Sequence, residues 1–171
     1  MAIITLNNNS LLDVTELPSG ISGQNYPAFE AKLSSSQTVG TNSGYNKILF
    51  DNEIFDTDGY YDNTTNYRFT PLVAGKYFVH LSVRAGETNG SALQEAGPQI
   101  RLNGGSGAYM AFFDLSNNPG KAMTPSFQTI IDMNGTTDYI EAYCFYESTA
   151  FAGTETFSSG GTFFGAFRIG D

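Results

Sequence analysis

The stretch Asn66-Tyr-Arg-Phe-Thr-Pro-Leu-Val-Ala-Gly-Lys-Tyr-Phe-Val-His-Leu-Ser-Val-Arg-Ala-Gly86 decides the fold of this 171-residue chain. Before Pro71, Tyr67 and Phe69 alternate with Asn66, Arg68 and Thr70. After Gly75, Tyr77, Val79, Leu81, Val83 and Ala85 alternate with Lys76, Phe78, His80, Ser82 and Arg84. A period of two puts one row of side chains in a core and leaves the other, more polar row outside. Pro71 cannot donate to a ladder, and Gly75 permits the backbone angles of a return. The stretch therefore reads as strand, tight turn, strand: an antiparallel hairpin in an all-β protein.

The wording of this stretch carries a second signal. Arg68-Phe-Thr-Pro-Leu-Val-Ala-Gly-Lys-Tyr-Phe78 resembles the signature of the complement C1q globular-head family, a branch of the tumour-necrosis-factor-like jelly rolls. Lys47-Ile-Leu-Phe-Asp51, Phe55-Asp56 and Gly59-Tyr-Tyr-Asp-Asn-Thr-Thr-Asn-Tyr-Arg-Phe69 are similar to that family's run-up. Pro27-Ala-Phe-Glu-Ala-Lys-Leu-Ser-Ser-Ser-Gln-Thr-Val39 resembles its first strand, and Gly161-Thr-Phe-Phe-Gly-Ala-Phe-Arg-Ile169 its last. The resemblance implies an antiparallel jelly-roll sandwich of about ten strands, assembled as a homotrimer. It divides the chain into an N-terminal arm, residues 1–26, and a jelly-roll domain, residues 27–171.

Working outward, Pro27–Leu33 and Ile48–Phe50 read as strands, with a Ser/Thr/Gly/Asn loop at Ser34–Tyr45 between them. Asp51–Asp62 is an acidic, turn-rich segment. Its Asp56-Thr-Asp58-Gly resembles part of a calcium loop but lacks the full ligand spacing and the terminal Glu. Asp and Gly there are read as turn chemistry; calcium is kept as an option, and no metal site is expected. Glu87–Gly97 reads as a polar loop and Gln99–Asn103 as a strand with Ile100 and Leu102 inward. The cluster Gly104-Gly-Ser-Gly107 is no phosphate loop, because no Lys-Ser/Thr and no helix follow it. Tyr109–Leu115 is an aromatic strand. Phe127, Thr129, Ile131 and Met133 line one face of the next, and Asn134-Gly135 signals a hairpin into the strand Tyr139–Tyr146.

Composition excludes several classes of function. Nineteen glycines, fourteen phenylalanines and ten tyrosines suit short strands and turns. A net charge of −9 speaks against nucleic acid, whose phosphates require Lys and Arg, and against an anionic membrane. The one cysteine, Cys144, precludes an intrachain disulfide and reads as a small core residue, and the one histidine, His80, reads as structural. Zinc would need several such ligands, and no Gly-x-Ser-x-Gly elbow is present. The chain is therefore expected not to be an enzyme and to use no cofactor.

The start of the chain, with no basic segment before an apolar core, predicts no export signal. It also resembles the starts of small tailed-phage structural proteins. The expectation is a virion protein made in a host cytoplasm. It would be a trimeric knob decorating or cementing the capsid, its arm bound to other virion proteins. The alternative is a receptor- or carbohydrate-binding tip of a tail fibre, with a host-surface glycan as partner. Aromatic residues dominate interfaces, so Tyr139, Tyr143, Phe145, Phe164 and Phe167 are candidates for the trimer contact. Tyr60, Tyr61 and Tyr109 are the candidates for stacking on a ligand.

Overall fold

The computed structural model describes residues 26–88, 90–105 and 109–171. The arm expected at residues 1–26 lies, apart from Tyr26, outside the described residues, as does the second half of the Gly104–Gly107 cluster. In chain order the strands are β1 (Ala28–Lys32), β2 (Gln37–Thr38), β3 (Gly44–Lys47), β4 (Asn52–Asp56), β5 (Tyr61–Asp62), β6 (Arg68–Phe69), β7 (Gly75–Gly86), β8 (Leu93–Leu102), β9 (Tyr109–Met110), β10 (Phe113–Asp114), β11 (Ala122–Met123), β12 (Ser126–Met133), β13 (Ile140–Ser148) and β14 (Thr156–Gly170). Six of these are only two residues long, which reconciles fourteen strands with the expected ten or so.

The strands form two antiparallel sheets. Sheet A has β11, β7, β14, β1 and β4 along its width, with β12 also on β7 and β2 on β14. Sheet B has β10, β8, β13, β6 and β5, with β3 on β13 and β9 on β8. The long strands of the second half alternate between sheets: β7 in A, β8 in B, β12 in A, β13 in B, β14 in A. Each connection thus crosses the sandwich, and pairing is made with strands distant in sequence, as in a jelly roll.

This overturns both hairpin readings. β6 pairs with β5 and β13 in sheet B, whereas β7 pairs with β12, β14 and β11 in sheet A. Likewise Asn134-Gly135 leads from β12 in sheet A to β13 in sheet B. Turn residues encode a change of direction, and do not encode whether the returning strand stays in its sheet. The two crossings interlock at one end of the sandwich. Gly135 has φ +67°, and a Cβ there would lie 2.6 Å from the Val73 carbonyl carbon and 2.9 Å from Ala74 Cα. Asn134 Oδ1 accepts the backbone N–H groups of Thr136, Thr137 and Asp138, which fixes the exit of this turn. Tyr67, expected in a strand, instead precedes β6 in the left-handed region at φ 49°.

The alternation within strands holds. Tyr77, Val79, Leu81, Val83 and Ala85 are fully buried, as are Ile140, Cys144 and Tyr146 on the facing sheet. Phe29 sits at the centre, stacked on Tyr61 and Phe69 with ring centroids 4.6 and 4.5 Å away and edge-on to Phe164 at 5.0 Å. Ile48 and Phe50 lie just beyond β3 and are both buried in the core, with Ile48 N–H still donating to Ala142 O of β13 at 3.0 Å. The expected loop Glu87–Gly97 is strand from Leu93 onward, because Ala96 and Gly97 pair with Tyr146 and Phe145 of β13. The expected loop Ser34–Tyr45 contains β2 and the start of β3.

Candidate functional site

The outward row of β7 is less polar than its sequence suggests. Cross-strand register sets Ile130, Phe78, Phe167 and Ala28 side by side across sheet A. The next rank is Gln128, His80, Gly165, Glu30 and Phe55, and the next Ser126, Ser82, Phe163 and Lys32. Phe78 and Phe167 have ring centroids 5.2 Å apart, and His80 and Phe163 5.7 Å. Ile130 is 54% exposed and Phe55 47%. Gly165 forms the floor beneath His80, since a Cβ there would meet the imidazole at 2.6 Å. His80 Nε2 lies 4.0 Å from a Glu30 oxygen. Burial lowers the pKa of His80, opposed by the attraction of Glu30.

A second aromatic patch covers the outer face of sheet B. Phe145 packs edge-on to Tyr45 at 5.3 Å and against Phe112 at 5.1 Å. The Arg101 guanidinium lies 3.8 Å from the Tyr143 ring centre, and Arg68 lies 4.4 Å from that of Tyr139. Lys47 Nζ donates to Glu141 Oε1 at 2.6 Å. Each of these cations covers a neighbour within the same protomer.

The sequence candidates therefore scatter. Tyr139, Tyr143 and Phe145 are half-buried on sheet B, and Phe167 is half-buried on sheet A. Phe164 is a correction: it is fully buried among Phe29, Phe50 and Tyr61, so its ring cannot meet a partner. The strand parity of β14 points Phe163 and Phe167 outward and Phe164 inward. Tyr61 is a second correction, because it is buried with its hydroxyl donating to Phe50 O at 3.0 Å. Burial pushes its phenol pKa up. Tyr60 is half-buried in a cleft of about 340 Å³ with Arg68, Asn66, Thr70 and Leu72. Tyr109 is not part of that cleft; it pairs with Ile100 on β8 and packs against the core. Phe78, Phe163 and Ile130 were missed by sequence reasoning, although the alternation of β7, β14 and β12 sets them opposite the core row.

Several other ionisable groups are absorbed by turns or the core. Asp56 accepts the N–H groups of Asp58, Gly59 and Tyr61, so its carboxylate completes a turn. Among the described residues no group of three metal-ligating side chains converges. Cys144 is buried, and burial pushes its thiol up to about 12. Glu87 is buried, with Tyr146 O–H donating to its Oε1, while its Oε2 has no partner among the described residues.

Neither a protein-family model nor a curated protein matches this chain. Solved structures do match it in shape. The crystal structure of murine APRIL at pH 5.0 is 9% identical with a TM-score of 0.58, covering 83% of this chain and 98% of that one. The crystal structure of murine APRIL at pH 8.0 is 10% identical with a TM-score of 0.57, covering the same shares. At such identities the likeness concerns the fold alone: an all-β, two-sheet sandwich of the tumour-necrosis-factor-like jelly-roll kind.

Proposed function

We propose that this chain is a non-enzymatic structural protein of a bacteriophage virion, a C1q-like homotrimeric jelly-roll knob on the capsid exterior. The observation that carries the assembly part is the outer face of sheet A, where Phe78, Phe163, Phe167, Ile130 and Phe55 lie together. An outward apolar field on an otherwise acidic protein is the signature of a surface covered by another chain. We assign the trimer contact to this face rather than chiefly to Tyr139 and Tyr143, whose rings are already covered by Arg68 and Arg101. The virion setting rests on the resemblance of the start of the chain to the starts of small tailed-phage structural proteins. The arm at residues 1–26 would hold the knob to its neighbours on the particle.

Light scattering of the full chain tests the assembly. The expected mass is three times 18.5 kDa for the native sequence, and the protomer mass for Phe78→Ser combined with Phe167→Ser. A native monomer overturns the trimer. Sedimentation of the labelled protein with purified phage particles tests the virion setting, and a protein that stays in solution with every particle tried overturns it.

A second reading, the receptor- or carbohydrate-binding tip of a tail fibre, is favoured by the cleft around Tyr60. An aromatic ring, a guanidinium and the amide of Asn66 within one cleft suit a sugar's apolar face and hydroxyls.

A further inference from the structure

The other end of sheet A carries a feature that neither reading uses. A cleft of about 480 Å³ opens over the last residues of β7, between Arg84, Lys121, Thr156 and Ser158. Its origin is a side chain that is missing. Ala122, Gly86 and Thr156 lie side by side across β11, β7 and β14, and Gly86 leaves the middle of that row empty. Arg84, at the near side of the cleft, lies about 20 Å along β7 from Phe78 and about 7 Å beyond Ser82, whose partner Phe163 ends the aromatic field, at roughly 3.3 Å per residue.

Charge distinguishes this cleft. The chain has only eight lysines and arginines against seventeen acids. Five of the eight are engaged: Lys47 with Glu141, Arg168 with Asp171, Lys76 with the Asp171 carbonyl, Arg101 with Gln99 and Tyr143, Arg68 with Tyr139. Of the other three, Arg84 and Lys121 line this one cleft, both side chains are exposed, and neither forms an ion pair among the described residues. Two uncommitted cations brought together on an acidic protein form a local attractor for a negative group. The hydroxyls of Thr156 and Ser158 add neutral donors and acceptors beside them. Glu87 also contributes to the lining, and its Oε2 is an acceptor without a partner among the described residues. A bare multivalent anion would face that carboxylate. A polyol with a single anionic group brings hydroxyl donors as well as charge, and a cleft of this volume exceeds what a bare anion fills.

We propose that the Arg84–Lys121 cleft binds a sugar carrying one anionic group, a carboxylate or a sulfate, with the two cations on the anion and Thr156 and Ser158 on ring hydroxyls. The cleft uses none of the side chains assigned to the trimer contact, so sugar binding and oligomeric state are read by separate variants.

Calorimetric titration of the full chain with glucuronic acid, N-acetylglucosamine 6-sulfate, neutral N-acetylglucosamine and inorganic phosphate tests it. The expected result is saturable, millimolar binding of one or both anionic sugars that weakens as sodium chloride is added. The neutral sugar binds at least about tenfold more weakly, since it loses a charge-assisted hydrogen bond, and phosphate binds more weakly because it faces Glu87 and brings no ring hydroxyls to Thr156 and Ser158. Arg84→Gln with Lys121→Gln abolishes binding without moving the unfolding midpoint, whereas Lys32→Gln changes nothing. No saturation by either anionic sugar, equal binding of the neutral sugar, or binding retained in the double variant overturns the proposal. Phosphate binding as tightly as the sugars marks a simple anion site and overturns the sugar assignment.

Discussion

Replacing Gly135 with alanine tests whether the two sheet crossings hold each other in place. At φ +67° an alanine pays the left-handed backbone penalty, about 1–2 kcal/mol. Its Cβ would also stand 2.6 Å from the Val73 carbonyl carbon and 2.9 Å from Ala74 Cα. These are backbone atoms of the other crossing and cannot rotate away, so an overpacking cost of about 1–3 kcal/mol is added. The expected loss is about 2–5 kcal/mol in all. Gly59 supplies the control: its φ is +71°, yet nothing lies within 4 Å of a Cβ there. Gly59→Ala should therefore lose only the backbone part, about 1–2 kcal/mol. Urea unfolding at one protomer concentration reads both variants, as a lower midpoint with unchanged slope. Equal losses in the two variants would refute the interlock, because the excess at Gly135 is the contact itself.

Three further outcomes are expected. Phe29→Ala, which removes the ring shared by Tyr61, Phe69 and Phe164, should cost about 3–5 kcal/mol in the same assay, and a loss below 1 kcal/mol would mean that this ring cluster is not the centre of the core. Folded His80 binds a proton less readily than the unfolded side chain, so its contribution is intact above the ordinary value of 6.5 and is lost as pH falls below it; His80→Gln should flatten the stability–pH curve in that window, and an unchanged curve contradicts the burial argument. Cys144, with its thiol buried and raised to about 12, should react with a disulfide reagent only at the rate of unfolding, and prompt modification of the native protein would place it elsewhere.

The sequence was enough for the all-β class, for the inward rows Tyr77–Ala85, Ile140–Tyr146 and Ile131–Met133, and for the jelly-roll resemblance. Those features depend on alternation and turn chemistry, which act over a few residues. The resemblance motifs at Pro27–Val39 and Gly161–Ile169 also fall on β1 and β14, which pair with each other across most of the chain's length. Which strand pairs with which was decided only by the tertiary structure. Asn134-Gly135 and Pro71–Gly75 are good turn sequences in a hairpin and equally good in a crossing; what separates the cases is whether Phe69 and Ile140, both in sheet B, find each other. The candidate sites depended on the same long-range register. Phe164 and Phe167 have the same chemistry, but parity against β1 and β7 buries the first and turns the second outward. Arg84 and Lys121 are separated by 36 intervening residues' worth of chain and meet only because β11 pairs with the end of β7. A local pattern gives each residue its face; only the closing of both sheets gives that face its neighbours.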